Sequence, residues 1–199
     1  AFTSLSGVFF GYIDTIMLGH YVQSEFIGFY QAAFQLAASA SIIISFSAAS
    51  LFPIFSRLSG TRLQRGFRKT RNLTLLTSIA ALLFTCIAAP YIVYLIYGSD
   101  YAPAVLLLRI LSLLLISFPL NSLYQTYYTS QKKTTEFSVL LFLSTIVNIV
   151  LNFIFITSGL QYGMYEATIG ACIATVISRY GYLFSLAVYK KKIERDMKR

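Results

Sequence analysis

The sequence has no tryptophan, a single histidine, two cysteines and four prolines, and each shortage closes off a chemistry. One imidazole and two thiols, Cys86 and Cys172, both set inside apolar runs, offer neither a metal-ligand cluster nor a disulfide framework. Charge is scarcer still: 12% of the residues are charged, against about 25% in soluble domains. Phosphate-cradling glycine loops, paired metal ligands and nucleophile motifs are all missing, so the chain is read as a non-enzyme that needs no cofactor and no metal.

What is abundant is apolar. The chain is 57% hydrophobic with a mean hydropathy of +0.69, which predicts an all-α polytopic membrane protein in the cell membrane. Six runs have the length that crosses a hydrocarbon core of about 30 Å: Phe2–Tyr21, Phe26–Phe52, Leu73–Tyr97, Pro103–Tyr127, Phe137–Thr157 and Ala167–Tyr189. Residues 1–189 are therefore read as a six-helix transmembrane lobe and 190–199 as a basic tail. The chain starts at Ala1 with no basic segment ahead of the first run, so Ala1–His20 is not read as a signal peptide, and the chain is expected to begin inside a longer protein.

The net charge of +9 would suggest nucleic acid in a soluble protein, but its distribution explains it otherwise. Arg57, Arg62, Arg65, Arg68, Lys69 and Arg71 follow the second run, Lys132 and Lys133 the fourth, and Lys190, Lys191, Lys192, Arg195, Lys198 and Arg199 the sixth. The other connections hold Glu25, Asp100 and Glu166 instead. By the positive-inside rule the basic loops and both termini are expected in the cytoplasm. No nucleic-acid partner is needed. The basic stretch Pro53–Asn72, interspersed with Leu58, Leu63 and Phe67, is expected to lie along the headgroups, either as a topology determinant or as an anionic-lipid contact.

Polar residues inside the runs are the candidate site. Asp14 should point away from lipid, because a carboxylate at the bilayer centre costs about 2.5–3.5 kcal/mol; Gly7 and Gly11 lie on its helical face, where another helix can approach closely. Arg109 falls at a similar depth on the fourth run and either pairs with Asp14 or lines a cavity. Arg179 either snorkels to the basic side or faces that cavity. Gln31 and Gln35, one turn apart, and Asn148 and Asn152, also one turn apart, either bond between helices or line a polar space. Two small-residue ladders, Ala33-Ala37-Ser41-Ser45 and Gly170-Ala174-Ser178, mark packing seams. Pro90 and Pro119 should kink the third and fourth helices.

Several of these segments resemble one family. Gly11-Tyr12-Ile13-Asp14-Thr15-Ile16-Met17-Leu18-Gly19 and Ile27-Gly28-Phe29-Tyr30-Gln31-Ala32-Ala33-Phe34-Gln35-Leu36 are similar to the polysaccharide-flippase branch of the MOP superfamily, which also holds the MATE exporters. Phe52–Leu58, Tyr97–Tyr101, Leu108–Leu111, Asn148, Asn152, Gly170-Ala171 and Ala174-Thr175 follow in the family's order. The segment Thr157–Glu166 departs from it, being longer than the family's proline-and-glycine turn and lacking proline. The resemblance implies the C-terminal lobe of a two-lobe, alternating-access transporter, with the N-terminal lobe of the same protein as partner. It also implies a lipid-linked saccharide as substrate, Arg109 and Arg179 for its phosphate, and Gln31, Gln35, Asn148 and Asn152 for its sugars. Asp14 then balances the cationic cavity or binds a coupling ion. The competing expectations are a MATE-like small-molecule exporter and a non-transporting scaffold of an envelope-biosynthesis complex.

Overall fold

The structure, a computed structural model, describes residues 2–58 and 60–196, and the side chains of these except 2–11, 47–49 and 193–196. Its long elements are helices α1 (Phe2–Tyr21), α2 (Ser24–Ala49), α3 (Phe52–Arg57), α4 (Gly60–Tyr97), α5 (Ala104–Leu111), α6 (Leu114–Ser130), α7 (Thr134–Leu160) and α8 (Met164–Asp196), with one 3₁₀ turn at Ser99–Tyr101. Among the described residues, five helical stretches are long and apolar enough to span a membrane, α5 and α6 together forming one of them. The chain is an all-α multi-pass membrane protein. The sixth expected span corresponds to α1, 20 residues long, whose first ten side chains, Gly7 and Gly11 among them, lie outside the described residues.

Three boundaries differ from the sequence reading. The basic segment after α2 is not a separate surface stretch: α3 is short, and α4 runs 38 residues without interruption from Gly60, so the arginines occupy the first turns of the third membrane helix. At the other end of the chain α8 continues past Tyr189 to Asp196; Lys198 and Arg199 of the tail, and the side chain of Arg195, lie outside the described residues. The connection between α7 and α8 is only Gln161–Gly163, closed by Gly163 at φ +151. The hairpin is compact even without proline, because helix fills most of the segment that reads as a loop.

Each proline acts through the turn before it. The helix runs on through Pro119, and the fourth span instead breaks at Ser112–Leu113, where Leu113, Leu115 and Ile116 bond to the third residue before them instead of the fourth. A proline ring crowds the carbonyl four residues back, here that of Leu115, and tightening of the preceding turn relieves the crowding. Tyr180 Oη caps the break by donating to Leu113 O at 3.0 Å. Helix α4 likewise stays helical through Pro90. The carbonyl that Pro90 leaves without a helical donor belongs to Cys86, and Arg109 Nε donates to it at 3.2 Å.

Small residues set the closest approach. A Cβ at Gly170 would lie 2.8 Å from the Phe155 carbonyl carbon, and one at Gly159 would lie 2.6 Å from Ala167 Cα, so α7 and α8 pack backbone to backbone. Ala174 and Ser178 continue that buried seam, and Ala33, Ala37 and Ser41 form the corresponding one on α2. Two apolar clusters result. One gathers Leu18, Phe29, Leu107, Leu111, Ile156 and Ala171, and the other gathers Phe55, Phe67, Tyr127, Phe137 and Leu186. The second lies at the basic end, where Gln131 Nε2 donates to Phe55 O at 3.4 Å and Tyr128 stacks on Tyr189. The arginines at the start of α4, Lys132 and Lys133 after α6, and Lys190 and Lys191 in α8 thus share one end of the bundle, as alternating crossings require.

Candidate functional site

Between those two clusters the interior turns polar. Along α7, Asn152 and Asn148 fall between Ile156 of one cluster and Leu141 of the other, and both are fully buried. Asp14 of α1 is 1% exposed. Its Oδ1 accepts from Asn152 Nδ2 at 2.5 Å and Asn148 Nδ2 at 3.2 Å, and its Oδ2 accepts from Tyr30 Oη at 2.9 Å. Tyr30 Oη also lies 3.2 Å from Thr175 Oγ1, and Asn148 Nδ2 donates to Ser178 Oγ at 3.0 Å. One carboxylate therefore joins α1, α2, α7 and α8.

The sequence places these groups for simple reasons. Asn148 and Asn152 are four apart, hence on one helical face; Thr175 and Ser178 are three apart on α8 and face α7 across the Gly170 seam. The small residues bring α8 near enough for their hydroxyls to reach. Buried carboxylates are tolerated when several donors meet them, each charge-assisted bond being about twice as strong as a neutral one. Arg179 of α8 is the cation within electrostatic reach of Asp14. Its guanidinium stands 5.0 Å over the Phe118 ring, and it lines a cavity of about 240 Å³ with Asn121, Gln125 and Tyr182. The Asn121 amide and the Tyr182 hydroxyl there are buried without a hydrogen-bond partner among the described residues.

Of the residues singled out in the sequence, Asp14, Asn148 and Asn152 converge and Arg179 stands near them. Arg109 does not join them: it is exposed on α5 and bonded to the α4 backbone. The similar depth expected of Asp14 and Arg109 from the sequence does not bring them into contact. Gln31 and Gln35 face outward from α2, whereas Tyr30, next to Gln31 but about 100° around the helix, turns inward to the carboxylate. Tyr30, Thr175 and Ser178 carry the network without standing out in sequence as an amide or a charge does. The signal for Thr175 and Ser178 was their place beside the small-residue seam.

An apolar all-α bundle with a buried, fully coordinated carboxylate defines the class as a multi-pass membrane protein. Residues 1–106 match the family described as polysaccharide biosynthesis protein, which is more than half of the 199 residues. The chain belongs to that family, and its role lies in polysaccharide biosynthesis. No curated protein and no solved structure matches it.

Proposed function

We propose that this chain is one lobe of a flippase that moves lipid-linked oligosaccharide or polysaccharide repeat units across the cytoplasmic membrane by alternating access, without covalent chemistry. The observation that carries the reading, beside family membership, is the intramembrane pairing of Asp14 with donors from two other helices and with Arg179 in electrostatic reach. Ionisable groups at membrane depth are costly and mark pathways or coupling sites. In this reading Arg179, with Asn121, Gln125 and Tyr182 around one cavity, offers a cation for phosphate and unpaired polar atoms for sugar hydroxyls. Gln31 and Gln35, turned outward on α2, face the opposing lobe.

Asp14 then either balances Arg179 or holds a coupling cation. The second role is supported by Asn148 Oδ1 and Asn152 Oδ1, which are buried beside the carboxylate with no hydrogen-bond partner among the described residues. Carboxylate and amide oxygens are the ligands hard cations take.

The scaffold reading draws on the same network, because a carboxylate this well coordinated also serves as a fixed anchor. Complementation of surface-polysaccharide export separates the two, with the intact transporter carrying Asp14→Asn, Arg179→Gln or both, at matched membrane levels. The flippase reading expects each single variant to lose export while the protein still inserts. Full export by Arg179→Gln and by the double variant refutes it and leaves an anchor.

A further inference from the structure

A cavity larger than the one beside Arg179 lies away from the carboxylate network, at the basic end of the bundle. There α4 and α8 both pack on α6, and the gap between them encloses about 790 Å³. Arg65, Arg68 and Arg71 line it from α4, and Lys190 and Lys191 from α8; none of the described lining residues is acidic. The three arginines recur every three residues, so they share one helical face and span about 9 Å along it. Like charges gathered around one space repel one another, and an anion between them relieves the repulsion.

The floor and outer wall of the cavity are apolar. Phe67 and Tyr124 close its base, their rings 5.1 Å apart. The Lys190 ammonium is nearly buried, 4.4 Å from the centroid of Phe67 and 4.9 Å from that of Tyr127. Cation–π contact of this kind helps to fix an ammonium in place. Phe184 and Val188 of α8 form the outer wall and are exposed on the bundle's lipid-facing side. Cations and apolar surface thus meet at the end of a membrane span, the depth of the headgroups.

We propose that this cavity is a binding site for the phosphate headgroup of an anionic membrane lipid, with Arg65, Arg68 and Lys191 on the phosphate oxygens and the acyl chain along Phe184 and Val188. Arginine suits such a site because its planar fork meets two phosphate oxygens at once. A free phosphate shares the headgroup chemistry but has nothing to lay against the apolar wall.

The test is native mass spectrometry of the full chain released from neutral detergent, with phosphatidylglycerol, phosphatidylcholine or inorganic phosphate added. The proposal expects phosphatidylglycerol to be retained over phosphatidylcholine, and expects Arg65→Gln/Arg68→Gln/Lys191→Gln to lower that retention about tenfold or more. Lys132→Gln/Lys133→Gln, which removes charge at the same end but outside the cavity, should retain the lipid, as should the charge-keeping Arg65→Lys/Arg68→Lys; unchanged far-UV circular dichroism establishes that each variant is folded. Equal retention of the two lipids, or unchanged retention in the triple variant, overturns the site. Displacement of the lipid by inorganic phosphate at equal concentration overturns its lipid character.

Discussion

Arg109 has a structural duty that a double-mutant cycle can measure. Pro90 has no N–H, so Cys86 O, four residues before it, has no helical donor, and Arg109 Nε reaches across from α5 to bond it at 3.2 Å. An unsatisfied carbonyl in hydrocarbon costs several kcal/mol, and a hydrogen bond to a charged group is worth about 1.5–3 kcal/mol in water-soluble proteins. Membrane cycles run lower, averaging about 0.6 kcal/mol with a ceiling near 1.7, because the unfolded chain also finds partners. The expected coupling between positions 90 and 109 is therefore about 1 kcal/mol.

The perturbations are Pro90→Ala, which restores the helical donor, and Arg109→Met, which keeps length and removes the bond. The single Arg109→Met effect is ambiguous in sign, since it also takes an exposed charge out of an apolar surface. The cycle cancels that contribution. Unfolding in mixed micelles, titrated with a denaturing detergent and followed by circular dichroism, gives the four free energies. Arg109→Met should cost about 1 kcal/mol more with Pro90 in place than with alanine there. Additivity within about 0.5 kcal/mol would refute the argument and return Arg109 to the residues available for substrate.

Asp14→Ala should unfold the bundle more readily than Asp14→Asn, by about 1–3 kcal/mol, because alanine strands the Tyr30, Asn148 and Asn152 donors while the amide oxygen still accepts; equal midpoints in the same micelle titration would contradict the network. Gly170→Val should cost about 3 kcal/mol or more, since its Cβ meets the Phe155 backbone and not a movable side-chain tip, and a wild-type midpoint would show that α7 and α8 are not in backbone contact. With Cys86 and Cys172 replaced, Gln35→Cys in membranes should, on the flippase reading, react with a membrane-impermeant maleimide while the buried Ala37→Cys does not. An inert Gln35→Cys would place the outward face of α2 against lipid and remove the two glutamines from the cavity.

What could be read from the sequence was what depends on helical spacing alone. The apolar runs, the seams at Ala33-Ala37-Ser41 and Gly170-Ala174-Ser178, and the inward aim of Asp14 follow from a 3.6-residue period and the cost of charge in lipid. Partner choice does not follow from depth. Helical rise along the sequence puts Asp14 and Arg109 at similar heights, but rotation about each helix decides contact, and rotation is set by the seams on both sides. Helix extent also escaped, because the apolar run ends where the arginines begin while helix α4 does not. The break at Ser112 was displaced from Pro119 because a proline acts on the carbonyl behind it.

The two arginines, Arg109 and Arg179, divide the labour in a way that bears on how rigid the bundle is. Arg109 ties α5 to α4 across the Pro90 defect, and Arg179 stands by the carboxylate that joins α1, α2, α7 and α8. Tyrosine hydroxyls add further cross-links, Tyr165 to Pro103 O at 2.7 Å and Tyr128 to Leu186 O at 2.8 Å. Bonds of this kind span the neighbouring helices of the bundle, so sliding any one of them exposes a buried polar group to an apolar surround. On the flippase reading the lobe then rocks as a unit, and alternation takes place at the outward face of α2 against its opposing lobe, not within the six-helix bundle.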